Sequence, residues 1–169
     1  MSTTVVKRDG VVEGLDLNKI HVMVEHACKD LAGVSESQVE MNANLQFFDG
    51  IATEDIQEIL IKSANDLISL DAPNYQYVAA RLLLFSLRKS VYNGHPEGHP
   101  SVYEQVQRGV CLGVYDSDLI NCYSEDEWDV IDGYIDHDRD YLFTYAGLRQ
   151  VTDKYLVQDR SSGQVHETP

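Results

Sequence analysis

The sequence predicts a mainly α-helical protein, a helical bundle capped by a small β-hairpin or sheet and followed by a second helical region. Three observations carry this reading. Apolar residues recur at helical steps through several segments of residues 1–93. Asp9-Gly10 lies between two short β-prone runs near the start. The stretch Asn93-Gly94-His95-Pro96-Glu97-Gly98-His99-Pro100 concentrates Gly and Pro as nothing else in the chain does, and it marks a boundary.

Taken in order, residues 3–7 and 10–13 alternate around Asp9-Gly10 and predict a hairpin. Asp16 then caps a helix whose face is Ile20, Val24, Ala27 and Leu31, and Gly33 ends it. Cys28 falls on this face and is expected to pack in the core. Ser35 with Gln38 has the spacing of a capping box for a second helix running toward Phe47. After a break at Asp49-Gly50, Thr53 opens a third helix, with Glu54 and Asp55 where the helix dipole favours carboxylates. Ile56, Ile59, Leu60, Ala64 and Leu67 form its buried stripe. Ala72-Pro73 starts a fourth helix from about Asn74 to Tyr92, with Tyr77, Ala80, Leu84, Leu87 and Val91 on one face. Leu83 and Phe85 widen that face, which makes this helix central.

Beyond the boundary, Val102 to Leu112 and Ser124 to Tyr134 read as shorter helices, the latter opened by a Ser124/Glu127 capping box. Lys154 to Val165 reads as strand, polar turn, strand. The chain stops at Pro169 where a new element would begin, so the expectation is a piece of something larger.

Composition narrows the function classes. A chain of 169 residues, 43% hydrophobic, can bury a real core. No apolar run approaches the ~20 residues of a membrane span. The start, Met1-Ser2-Thr3-Thr4, lacks the pattern of a secretory signal, so a cytoplasmic protein is expected. Cys28, Cys111 and Cys122 form no CxxC, which argues against a disulfide framework or zinc site. Net charge is -15, with eight Lys/Arg against thirteen Asp/Glu in residues 1–93 and five against fifteen in residues 94–169. The acidic runs Ser124–Asp129 and Asp136–Asp140 read as solvated faces and lack an EF-hand pattern. His95 and His99 flanking Glu97 read as linker rather than metal ligands.

Against this acidity, Lys7 and Arg8 at the hairpin and Lys19 at the front of the first helix gather positive charge around one turn. Such a local pocket suits a small polyanion and not a nucleic acid backbone, which needs a broad basic face. Thr53 adds a hydroxyl and helix-start N–H groups, and Lys89 lies near the end of the fourth helix. Glu13, Asp16 and Asn18 supply hydrogen-bonding groups for a base or ribose edge, and Val5, Leu15 and Ile20 an apolar slot. No Gly-rich P-loop is present, so phosphate binding would rest on side chains. No GxSxG, HExxH or Cys beside a His points to covalent catalysis, and His137 between Asp136 and Asp138 reads as a helix-edge residue.

Several blocks then resemble the N-terminal part of the large (alpha) subunit of class I ribonucleotide reductase. They are Lys7-Arg8-Asp9-Gly10, Leu17-Asn18-Lys19-Ile20, Phe48-Asp49-Gly50-Ile51-Ala52-Thr53, Ala72 through Leu82, Asp136-His137-Asp138-Arg139-Asp140 and Lys154-Tyr155-Leu156-Val157-Gln158. They occur in family order across essentially the whole chain. The resemblance implies an ATP-cone over residues 1–93, binding ATP or dATP with Mg as allosteric effector. It implies a helical region over residues 94–169 that leads toward a ten-stranded α/β barrel beyond the chain. Lys7 and Arg8 would contact phosphates. Residues Glu13, Gly14, Leu15, Asp16, Leu17, Asn18, Lys19 and Ile20 would wrap the nucleotide, with Glu13 and Asp16 near the adenine. Thr53 would meet the phosphates, Gln57 would lie one turn further along, and Lys89 would close the site. Asp16 stands where the family commonly has Asn, and Gln57 where it commonly has His, so base contacts and the response to dATP are open.

No catalytic residue of the family is expected within this chain. The implied function is overall-activity control of ribonucleoside-diphosphate reductase, a thioredoxin- or glutaredoxin-dependent oxidoreductase making deoxyribonucleotides for DNA synthesis. The implied partners are the rest of the large subunit, in the same or a separate chain, the small radical-carrying beta subunit, and further alpha copies, with no nucleic acid and no membrane. A degenerate cone kept only as a subunit-interaction module is the alternative. A cone-bearing repressor would need a zinc ribbon and a basic DNA face, and the sequence has neither.

Overall fold

The computed structural model describes residues 3–92 and 98–169. Asn93 to Glu97 lie outside the described residues, and with them most of the Gly/Pro break and the candidate metal pair partners His95 and Glu97. The chain forms two compact units: one of residues up to Ser86 together with Tyr141–Leu148, the other of Leu87–Asp140 with Arg149–Pro169.

The first unit is the sheet-capped helical bundle. Strands β1 (Thr4–Val6) and β2 (Val12–Gly14) make the predicted hairpin, with Val5 opposite Glu13. Gly10 takes a left-handed φ of 82°, and its N–H donates to the Lys7 carbonyl at 2.9 Å, which is the conformation a glycine supplies without strain. A third strand, β3 (Ile51–Ala52), pairs parallel to β1, so β1 is central in the order β2-β1-β3. Asp49 latches it, since its Oδ1 accepts from both the N–H and the hydroxyl of Thr4 at 2.7 Å.

Helices α1 (Leu17–Cys28), α2 (Glu36–Asn44) and α3 (Thr53–Asp66) follow, with α4 (Tyr75–Tyr92) as far as Ser86. Their apolar stripes meet in one core: Val24, Val39, Leu60, Val78 and Leu84 are fully buried, and Val5 and Ile51 close it from the sheet. Leu148 on α8 (Tyr145–Lys154) joins the same core, with Tyr141 and Phe143 packed against it.

Two predicted details are corrected. The first helix ends at Cys28 and not at Gly33, because Asp30 adopts a left-handed φ of 60°. Arg81 of α4 donates to the Ala27 carbonyl (3.1 Å) and the Lys29 carbonyl (2.6 Å), satisfying acceptors that a continuing helix would have used. The Ser35/Gln38 capping box does not form. The buried Tyr75 hydroxyl sits between them, accepting from the Ser35 N–H at 2.9 Å and donating to Gln38 Oε1 at 2.6 Å.

The second unit contains the end of α4, then α5 (Val102–Cys111), α6 (Asp118–Asn121) and α7 (Glu125–Gly133). Leu87, Val91 and Leu156 form its buried cluster. Glu127 accepts from the N–H and hydroxyl of Ser124 at 2.8 and 2.9 Å, as the capping-box spacing predicts. Ser101 and Glu104 form a second box on α5. The Asp136–Asp140 block is a 3₁₀ turn (His137–Leu142) in which Arg88 reaches Asp140 at 2.8 Å. His137 stacks on His99 with ring centres 3.6 Å apart. The predicted terminal hairpin shrinks to β4 (Gln158–Asp159) and β5 (Gln164–Val165), since Lys154 ends α8 instead of starting a strand.

Candidate functional site

The cationic corner of the first unit is assembled by the sheet. Successive strand side chains alternate, so Lys7, two residues past Val5, leaves β1 on the same side as Val5, and Glu13 opposite Val5 shares that side. Lys7 Nζ lies 2.7 Å from Glu13 Oε2. Asp16 is the N-cap of α1, accepting from the Asn18 N–H at 3.0 Å, and this fixes where Lys19 emerges. Lys19 Nζ lies 3.8 Å from Glu13 Oε1. One carboxylate thus stands between two ammonium groups. The Lys7 contact raises the lysine's affinity for its proton and lowers that of Glu13, chiefly through their shared hydrogen bond.

Parallel pairing of β1 with β3 brings the third helix to the same corner. Val6 pairs with Ala52, the last residue before Thr53 opens α3. Arg8 Nε reaches Glu54 Oε1 at 2.6 Å, tying the hairpin to the first turn of α3. The N-cap of α3 is Ala52, which has no side chain to satisfy the leading N–H groups. The sequence marks Glu54 as a dipole partner only. Its pairing with Arg8 joins positions 46 residues apart, and no local pattern announces it.

Gly14 ends β2, and Leu15 packs against the core with its N–H on the Thr3 carbonyl at 2.9 Å. Leu17, Asn18 and Lys19 are exposed, and Ile20 is buried. Gln57, one turn after Thr53, is 6% exposed, and its amide N–H approaches Met23 Sδ of α1 at 3.8 Å. Lys89 belongs to the second unit, exposed in the last turn of α4.

Fold and charge together define a helical domain with a sheet-capped cationic corner. The family model described as the ATP cone domain matches residues 3–90, and the chain belongs to the ATP-cone family. Relatives extend the likeness along the whole sequence. The chain is 48% identical over 167 residues to a ribonucleoside-diphosphate reductase subunit alpha of Haemophilus influenzae, covering 99% of this chain and 22% of that protein. It is 48% identical over 164 residues to ribonucleoside-diphosphate reductase 1 subunit alpha of Escherichia coli (97% and 21%). It is 40% identical over 167 residues to the subunit alpha of Enterobacteria phage T4 (98% and 22%). The chain therefore spans about a fifth of the length of these curated relatives. No helix among the described residues is long and apolar enough to cross a membrane.

Proposed function

We propose that the chain is the nucleotide-sensing regulatory region of a ribonucleoside-diphosphate reductase large subunit, binding ATP and dATP at the cationic corner. The observation that carries this is the convergence of Lys7, Arg8 and Lys19 beside the uncapped start of α3, in a chain whose net charge is -15. The donor set fits a triphosphate, with three cations, a threonine hydroxyl and free helix-start N–H groups. Asp16 uses its carboxylate on its own helix and has no proton to donate, so a donor toward a base would come from the exposed Asn18, Gln57 being buried against Met23. Mg²⁺ would accompany the triphosphate and share its charge.

Residues 1–93 would form the nucleotide-binding domain and residues 94–169 the helical region leading toward the catalytic barrel. In the whole enzyme, ATP would favour the active assembly with the small radical-carrying subunit. dATP would favour an inhibited oligomer of alpha copies and small subunits in the cytoplasm. ATP and dATP differ by one 2′-hydroxyl, and a coupling of about 1–3 kcal/mol would suffice if that assembly equilibrium is nearly balanced.

Calorimetric titration of the 169-residue chain with ATP and with dATP, each with Mg²⁺, tests the reading. Saturable heat from either, abolished by the double substitution Lys7→Ala and Lys19→Ala, is expected. No heat from either nucleotide would leave the subunit-interaction module as the surviving interpretation. Unchanged affinity in the double variant would mean the site lies elsewhere.

A further inference from the structure

The segment Tyr141–Leu148 belongs to the first unit, although the residues on either side of it, Asp140 and Arg149, belong to the second. Its first residue, Tyr141, is held by α4. The Tyr141 ring meets Phe85 edge-on, with centres 6.3 Å apart and planes at 73°. The Arg81 guanidinium lies over the same ring, 5.4 Å from its centre. Arg81 Nη1 also donates to the Ala27 carbonyl at 3.1 Å and the Lys29 carbonyl at 2.6 Å, the acceptors released where α1 ends. One side chain therefore joins the end of α1, the middle of α4 and the first residue of the returning segment.

The way this charge is held suits a contact that changes. Among the described residues no carboxylate pairs with Arg81. Its charge is met by the carbonyl dipoles at the C-terminal end of α1 and by a ring face. Nη1 carries both hydrogen bonds, while Nε is buried and has no partner. A buried donor without an acceptor is unfavourable, so a shift at the end of α1 that redistributed the donors would not be opposed by a fully satisfied network. The opposite end of α1 is the cationic corner, where Asp16 caps the helix and Lys19 emerges. The helix has twelve residues, which at about 1.5 Å each makes it about 18 Å long. A displacement of its start as a rigid rod is thus felt at Ala27.

We propose that Arg81 couples occupancy of the cationic corner to the packing of Tyr141–Leu148. An anion drawing on Lys19 moves α1, the hold of Arg81 on the end of α1 changes, and the guanidinium shifts on the Tyr141 ring. The coupling presupposes the nucleotide-binding reading of the corner. Arg81 touches no ligand in this scheme and is a positioning residue. Lysine would not replace it, since an ammonium can reach a carbonyl but has no plane to lay on a ring.

The test is hydrogen–deuterium exchange of the 169-residue chain with and without saturating ATP and Mg²⁺, alongside calorimetry under the same conditions. The reporters are the amides of Gly147 and Leu148, which donate to the Thr144 hydroxyl at 3.2 Å and carbonyl at 2.9 Å. ATP should change their exchange rates by at least about threefold, the size of a modest coupling. In Arg81→Lys the ATP affinity should stay within about threefold, while most of the ATP-induced rate ratio disappears. Tyr141→Leu keeps the apolar contact, removes the ring face, and should lose the ratio in the same way; it decides the matter should Arg81→Lys fail to fold. No heat with ATP would overturn the nucleotide reading and the coupling with it. Heat without an exchange change at Gly147 and Leu148 would overturn the coupling alone. A merely structural Arg81 would raise exchange equally with and without ATP, so an unchanged ratio in both variants would remove Arg81 from the coupling.

Discussion

Glu13 is the most informative residue to change. It stands 2.7 Å from Lys7 and 3.8 Å from Lys19, and its side chain is one-third exposed at 33%. Glu13→Gln keeps the shape and the strand register and removes one negative charge. In the proposed binding mode a polyphosphate must compete with this carboxylate for both ammonium groups. The Lys7 contact is short and hydrogen-bonded, whereas the Lys19 contact is long, so the competition is worth about one exposed ion pair. Exposed pairs of this kind shift an equilibrium by up to about fivefold. Inorganic tripolyphosphate, which has no base or sugar, should therefore bind the variant up to about fivefold tighter by calorimetry. The gain should shrink between 0.1 M and 1 M salt, as the screening length falls from about 10 Å to about 3 Å. ATP should gain less than tripolyphosphate, because Glu13 also lies near the adenine in this mode. Tripolyphosphate binding that is unchanged or weaker in Glu13→Gln would refute the reasoning, since Glu13 would then not be standing in the phosphate's place.

Further outcomes follow from the packing. Tyr75→Phe removes a buried hydroxyl that makes two hydrogen bonds, so the fold should lose about 1–3 kcal/mol by urea titration, with the melting temperature falling about 2–4 °C per kcal/mol. Gly109→Ala would place a Cβ 2.1 Å from the Tyr115 ring. It should destabilise the second unit by about 1–3 kcal/mol while leaving nucleotide heats unchanged. His99 has its proton affinity lowered, first by burial and then by Arg88 and His137, with Asp140 and Asp138 opposing. A depressed histidine contributes stability that is present above its unfolded value near 6.5 and lost as pH falls through its folded value. Melts from pH 7.5 to 5.5 should therefore show a steeper loss in the native protein than in His99→Phe, and parallel curves would count against this assignment.

The parts of this fold legible in the sequence are those set by near neighbours. The apolar stripes of α1, α3 and α4 lie at helical spacing, and Asp9-Gly10 needs only its own turn. Several departures from the local pattern trace to distant residues. Tyr75 reaches back to Ser35 and Gln38, and Arg81 reaches the end of α1. Strand β3 is two residues long and exists through pairing with β1. Helix α8 depends on its anchor, Leu148, which is buried in a core built from residues before Ser86. The candidate site divides the same way. Lys7, Glu13 and Lys19 are near in sequence, so the hairpin register and the Asp16 cap bring them together. The pairing of Arg8 with Glu54 needs the parallel β1–β3 contact, which the pattern of neither segment specifies.

If the corner binds a polyanion as proposed, the two acidic partners also offset the repulsion such a site meets without its ligand. Lys7, Arg8 and Lys19 are like charges gathered at one corner, and without an anion their repulsion opposes the fold. Glu13 balances the first and third, and Glu54 the second, each from an element that helps build the corner. In the proposed binding mode such balance would stabilise the protein without nucleotide and weaken phosphate binding, since every phosphate contact would replace a contact already made. In that binding mode this would hold affinity down to a range in which changing nucleotide levels alter occupancy, which is what a sensor requires and a tight-binding cofactor site does not. The same arrangement links three elements, because an anion drawing on Lys7, Lys19 and the start of α3 would pull on the hairpin, α1 and α3 together. A signal originating at this corner would therefore enter the bundle through helices that share one core, with Val24 of α1 and Leu60 of α3 both fully buried in it.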